Sequence, residues 1–314
     1  MKTAIVFPGQ GSQSVGMAKD FYDNFSVAKN VFEEVNDTLK KDLTKIMFEG
    51  PEDVLTDTAN AQPAIMTASV AILEVIKQES GLDIERLCDC MAGHSLGEYT
   101  ALCASKSITL SDTAKLLKIR GESFSEAGRI SKGLMATIIG CSLDEVKNIV
   151  ERAKLDGEVL EIANDNMVGQ TVISGNVNSI DNAIKIANEM GVKKTIKLQV
   201  SGAFHSSLME PATENMKTAL NNVEINKPVV DIFANYTAEV EQQDNIKDNL
   251  LKQITGRVRW RETVDNIKNS GVDRFVEIGA SVVMKKMISR MYPDADVMSV
   301  NSVDTLKEFI EMIK

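Results

Sequence analysis

The chain has 314 residues, 43% of them hydrophobic and 25% charged, and a formal net charge of -10. Such a length can bury a large core, as one large domain with an insertion or as two domains, and the composition is that of an ordinary globular protein. The acidic balance argues against a general nucleic-acid role. Cys88, Cys90, Cys103 and Cys141 form no C-x-x-C pair and stand with two distant histidines, a poor set for zinc, so no metal site is expected.

The first segment, "MKTAIVFPGQG", has a short apolar run stopped by Pro8 and Gly9, and reads as a buried strand opening into a loop. It lacks the long apolar core of a signal peptide, and no stretch approaches the ~20 apolar residues that span a bilayer. The expectation is a cytoplasmic chain that does not enter a membrane. Residues 61–79, "AQPAIMTASVAILEVIKQE", have the apolar density of a buried helix. "CDCMAG" then reads as a strand with Cys88 and Cys90 on one side of it, and "EYTALCAS" as a helix. Further on, 229–235 and 273–279 read as strands among helices at 245–254, 261–270 and 282–292. Strands interleaved with helices imply a mainly parallel sheet covered on both faces.

The middle of the chain differs. Between residues 134 and 198 the order is strand, helix, strand, strand, helix, strand, the split motif of a ferredoxin-like α+β unit. This unit is expected as an insert over 127–198, within a core formed by 1–126 and 199–314.

Gly93-His94-Ser95-Leu96-Gly97 is a G-x-S-x-G sequence between the strand and the helix expected on either side of it, the context in which a serine is held on a strained elbow. Its hydroxyl would project beside a helix N-terminus, whose amides stabilise an oxyanion. The competing reading is a plain N-cap serine, and the strand–helix context favours the nucleophile. A serine hydroxyl needs a base. His94 adjoins Ser95 on a tight turn and would point away from it, which leaves His205, in "SGAFHSSLM". Arg120 shares a helical stripe with Thr113, Leu117 and Phe124. Were it buried it would need an anion, and a bound carboxylate would serve; helix geometry alone favours an arginine at the edge of the stripe reaching water. Gly9 and Gly11 suit a tight loop at a strand's carboxyl end, where a Gln10 amide could complete an oxyanion hole; without a G-K-[ST] ending it is no P-loop.

Taken together, these segments resemble the malonyl-CoA:acyl carrier protein transacylase family. The resemblance covers nearly the whole chain, through "PGQGSQ" (8–13), "GHSLGEYTAL" (93–102), "KIRG" (118–121), "IANDN" (162–166), "GAFHS" (202–206), "NYTA" (235–238), "QITGRVRW" (253–260) and "VEIG" (276–279). It implies an α/β-hydrolase-like core with a ferredoxin-like insert. It implies Ser95 as the acylated nucleophile, His205 as its base, and the main-chain amides of Gln10 and Leu96 as the oxyanion hole. Arg120 would clamp the malonyl carboxylate, and the carbonyl of Gln253 would orient the histidine. The implied partners are malonyl-CoA and an acyl carrier protein whose phosphopantetheine thiol accepts the acyl group, with no further cofactor and no nucleic acid. Arg257 stands where the family has a proline, and "GASVVM" replaces its Gly-Pro-Gly pattern after Gly279. A serine thioesterase, a polyketide acyltransferase acting in trans and a non-catalytic carrier-binding subunit are the alternatives. Lys193, Lys194, Lys197, Arg257, Arg259 and Lys286 are candidates for steering an acidic carrier.

Overall fold

The computed structural model describes all 314 residues. It is a mixed α/β molecule with two sheets. Five parallel strands form the larger one: β1 (Lys2–Phe7), β2 (Cys90–Gly93), β7 (Asp231–Phe233), β8 (Val272–Ile278) and β9 (Asp296–Val300), in the spatial order β7-β2-β1-β8-β9. Four antiparallel strands form the smaller one: β3 (Gly133–Ile139), β4 (Leu160–Met167), β5 (Gln170–Asn176) and β6 (Lys194–Lys197), in the order β4-β5-β3-β6.

The pleat of β1 explains why the parallel sheet is covered twice. Ile5 and Phe7 point into the larger apolar core, while Ala4 and Val6 point to the opposite face and a smaller core around Trp260 and Phe275. Every side chain from Ala4 to Phe7 is buried, as a central parallel strand requires. From β1 the chain places β2 and β7 on one side and β8 and β9 on the other. Open α/β sheets form their ligand crevice at such a reversal, beyond the carboxyl ends of the strands.

Helix Thr58–Ser80 begins three residues before the expected 61 and crosses the larger core. At 23 residues it is long and apolar enough to cross a bilayer, contrary to the reading of the sequence, yet 89% of its most apolar window is buried inside the protein. Its apolar surface is therefore occupied by the protein's own core. Cys88 and Cys90 also differ from expectation. Strand β2 starts only at Cys90, so the period of two does not reach Cys88, which packs in the larger core while Cys90 packs on the other face.

Strands β3 to β6 lie against helices Leu143–Ala153 and Val177–Glu189, and Ile138, Val146, Ile149, Ile173 and Ile180 form a separate small core between them. The smaller sheet is bound to the rest through β4. Asp165 N–H donates to Val258 C=O (2.9 Å), Val258 N–H donates to Ala163 C=O (2.8 Å), and Arg261 pairs with buried Asp165 at 2.9 Å. That seam sets the smaller sheet over the carboxyl edge of the larger one.

Candidate active site

Strand β2 ends at Gly93 and helix Leu96–Ala104 begins two residues later, so the chain reverses within His94 and Ser95. Ser95 takes up the reversal at φ 54° and ψ -109°, a conformation that costs a non-glycine residue ~1–3 kcal/mol. The flanking glycines are steric necessities. A Cβ on Gly93 would lie 1.9 Å from the Gly97 carbonyl, and one on Gly97 would lie 2.7 Å from the Phe7 carbonyl oxygen. Asn235 staples the elbow from β7's loop: its Oδ1 accepts from Ser95 N–H at 2.7 Å and its Nδ2 donates to Gly93 C=O at 2.7 Å.

The Ser95 hydroxyl is 2.8 Å from His205 Nε2, and His205 Nδ1 is 2.8 Å from the Gln253 carbonyl oxygen. A carbonyl can only accept, so Nδ1 carries the proton and Nε2 is left as an acceptor facing Ser95. His205 is itself at φ 57° and buried. Burial first, and the Arg120 charge second, push its pKa down to about 3. The imidazole is therefore neutral and ready to take a proton at ordinary pH. His94 points away, as the tight turn demands: its Nε2 lies 2.9 Å from Asn166 Oδ1 and its ring packs edgewise on Trp260.

Arg120 departs from the helix-geometry reading. It is 1% exposed, deep in the stripe and not at its edge. No carboxylate pairs with it. Its Nη1 donates to Gln62 Oε1 (2.7 Å), and its Nη2 donates to Gln253 Oε1 (2.9 Å) and to Ser95 Oγ (3.1 Å). The Phe124 ring lies 4.3 Å from its guanidinium carbon, and Nε has no partner. A cation held by neutral amides and an aromatic face beside a reactive hydroxyl retains attraction for an incoming anion.

Gln10 follows β1 in the loop across from the elbow. Its side chain accepts from Thr58 Oγ1 at 2.9 Å, and its main-chain N–H has no protein acceptor. Leu96 is the first residue of its helix, where main-chain N–H groups lack intrahelical partners. The cleft above these groups holds about 350 Å³. Its floor is the Gly9–Gln13 loop with Ser95, Arg120 and His205; Met135, Thr137 and Asn164 of the smaller sheet wall it, and Val283 and Met287 after β8 close another side.

The sequence reading missed Glu98, Gln62, Asn235 and Asn166 as site residues, although all four fall inside quoted segments. Glu98, fully buried, accepts from the Gln253 side chain (2.7 Å) and from Asn235 N–H (3.0 Å). Nothing in a helical register tells which polar residue faces inward to a neighbour 137 or 155 positions away. Among the steering candidates, Arg257 and Arg259 are already paired with Glu262, and Lys197 with Asp181. Lys193, Lys194 and Lys286 are exposed and unpaired. No group of three or more His, Cys, Asp or Glu is placed to hold a metal ion.

The chain is similar to known acyl transferases over nearly its whole length. The acyl transferase domain profile matches residues 4–308. The malonyl CoA-acyl carrier protein transacylase of Bacillus subtilis is 37% identical over 314 residues, covering 100% of this chain and 98% of that protein. The crystal structure of the acyl-carrier-protein-S-malonyltransferase of Bartonella henselae superposes with a TM-score of 0.95 at 42% identity, covering 100% of this chain and 99% of that one. A malonyl-transacylase solved in complex with a type II polyketide synthase acyl-carrier protein superposes with a TM-score of 0.94 at 34% identity, covering 99% of this chain and 100% of its own. The chain belongs to the malonyl CoA-acyl carrier protein transacylase family of acyl transferases.

Proposed function

We propose that this enzyme moves the malonyl group of malonyl-CoA onto the phosphopantetheine thiol of an acyl carrier protein, through a malonyl ester on Ser95, and so supplies malonyl carrier protein for fatty acid synthesis. The observation that carries this reading is the Arg120 guanidinium, buried without a carboxylate partner and 3.1 Å from Ser95 Oγ. It is suited to hold the free carboxylate of a malonyl group while the other end reacts.

His205 Nε2 takes the Ser95 proton as Oγ attacks the thioester carbonyl. The developing oxyanion is received by the main-chain N–H groups of Gln10 and Leu96. The carbon–sulfur bond breaks, the CoA sulfur leaves with the proton returned by His205, and malonyl-Ser95 remains. The carrier's thiol then gives its proton to His205, attacks the ester and regenerates the Ser95 hydroxyl. The Gln253 carbonyl holds the imidazole in the one tautomer that serves both halves.

We read residues 1–126 and 199–314 as an α/β-hydrolase-like core and 127–198 as a ferredoxin-like insert. The β4-β5-β3-β6 order, with both helices packed around one small core, supports the second part. A cytoplasmic location fits the same reading. Intact-mass measurement after mixing with malonyl-CoA tests the function. A malonyl adduct that persists without acceptor and is discharged by holo carrier protein is the expected result. Steady release of free malonate without carrier would point to a thioesterase instead.

A further inference from the structure

Beneath the elbow lies a pair of acidic side chains that the transfer chemistry leaves unused. Glu98 is fully buried and Glu241 is 7% exposed. The two carboxyl groups are near enough for one to hydrogen-bond the other once it is protonated. On each, one oxygen is satisfied: Glu98 Oε2 accepts from Gln253 Nε2 and Asn235 N–H, and Glu241 Oε2 accepts from Asn249 Nδ2 at 2.8 Å. The other oxygen of each, Oε1, is buried with no protein donor. Two ionised carboxylates side by side in the interior, each with an oxygen that no protein donor reaches, would be strongly unfavourable; one proton between them satisfies both.

We propose that Glu98 and Glu241 share a single proton, and that this singly charged acid pair is the positioning element of the active site and the counter-charge of Arg120. The connection runs through one side chain. Arg120 Nη2 donates to Gln253 Oε1, and Gln253 Nε2 donates to both Glu98 Oε2 and Ser95 C=O (3.0 Å). The same residue's main-chain carbonyl fixes His205. The pair therefore orients Gln253, and Gln253 in turn sets the serine, the histidine and the arginine. Its net charge of -1 balances the guanidinium through Gln253, without a direct ion pair to it. Arg120 is the other charged group facing Glu98, and Asn249 is the polar partner facing Glu241. Burial holds both carboxyl groups above their ordinary range, and on Glu98 the charge of Glu241 adds to it.

Amide substitution separates this arrangement from its rivals. Glu98→Gln keeps an acceptor for Gln253 and Asn235 and gives a donor to Glu241. Glu241→Gln keeps an acceptor for Asn249 and gives a donor to Glu98. Each single variant thus reproduces one shared hydrogen and one negative charge, whereas the double variant opposes two donors and removes the charge. Malonyl transfer by the double variant should fall about tenfold or more below either single variant, the loss expected from one unsatisfied buried pair. Wild-type kcat/KM should drop at alkaline pH as the shared proton is lost, and both single variants should lack that limb. An infrared difference spectrum of wild type against Glu98→Gln at neutral pH should show the loss of a protonated-carboxyl band. Because the proposal rests on the malonyl-transfer reading only for its kinetic arm, the infrared arm, taken without substrate, tells the two failures apart and stands if the double variant does not fold. A wild type without that band, or a folded double variant as active as the singles, would overturn the proposal.

Discussion

Ser95 and His205 both sit at positive φ, 54° and 57°, and their side chains meet at 2.8 Å. Two residues that the backbone would rather place elsewhere are brought together by what surrounds them. Asn235 staples the first and the Gln253 carbonyl receives the second.

The strain at the elbow gives a stability prediction separate from activity. Ser95→Ala keeps a Cβ at φ 54°, whereas Ser95→Gly removes it. The glycine variant should be the more stable of the two by about 1 kcal/mol, net of the entropy glycine adds to the unfolded chain, or about 2 °C in Tm. Both should be inactive. Malonyl-CoA should label wild-type Ser95 and no cysteine, since burial pushes the Cys90 and Cys103 thiols up to about 12. Calorimetry of the two variants and peptide mapping of the labelled wild type decide the matter; an adduct on Cys103 would contradict it.

The depressed His205 pKa sets a pH window. In the unfolded chain the imidazole takes up a proton near 6.5, whereas the folded protein refuses it until about 3. The folded state therefore loses stability as pH falls from 6.5 towards 3, and it loses none of this contribution above 6.5. The acid limb of kcat/KM should accordingly lie well below the ordinary histidine value, with no inflection at 6.5. A pH–rate profile that bends at 6.5 would show that the imidazole is solvated in the working enzyme.

Much of this was legible in the sequence because it is local. The G-x-S-x-G elbow carries its own steric requirement, and the strands around it announce themselves by apolar runs. With two histidines in the chain and one beside the serine, the histidine that meets Ser95 followed by elimination. Arg120 was on the right stripe, but periodicity places a residue on a face without saying how deep that face lies. Depth is set by helix Thr58–Ser80, which supplies Gln62 from 58 positions away. Glu98 and Glu241 were invisible for the same reason. Each is an ordinary surface-type residue until Asn235, Gln253 and Asn249 close around it. Arg257 and Arg259 read as free cations because Glu262, which pairs with both, gives no sign of its aim in the sequence.

Carrier docking should draw on the unpaired lysines. Lys193 and Lys194 stand on the smaller sheet's edge and Lys286 on the helix whose Val283 and Met287 line the cleft. Reversal of Lys194 and Lys286 to glutamate should raise the carrier's KM severalfold, more at low salt than at high, and leave the malonyl-CoA half-reaction as it is. Reversal of Arg259 should instead lower stability, by setting a like charge against Glu262. Carrier kinetics that ignore both lysines would place the docking face elsewhere.

Arg120 should decide the acyl group. If it holds the malonyl carboxylate, Arg120→Ala removes the cation beside a charge brought into the cleft. Loss of such a charge-assisted bidentate contact costs ~2–5 kcal/mol, about one and a half to four decades in kcat/KM. An acetyl group has no carboxylate to lose, so acetyl-CoA should be penalised less, or should gain. The structure adds a complication that sharpens the test: Arg120 also donates to Ser95 Oγ and to Gln253. Its removal therefore has a general component, shared by both substrates, and a selective one, confined to malonyl. Arg120→Lys separates them further, because an ammonium supplies the charge without the fork and cannot reach Gln62, Gln253 and the substrate in one plane. It should recover part of the malonyl rate and little of the discrimination. The ratio of kcat/KM for malonyl-CoA to that for acetyl-CoA is the quantity to measure. A ratio unchanged in Arg120→Ala, with both rates reduced alike, would make Arg120 a support for Ser95 and Gln253 and leave the carboxylate to another group.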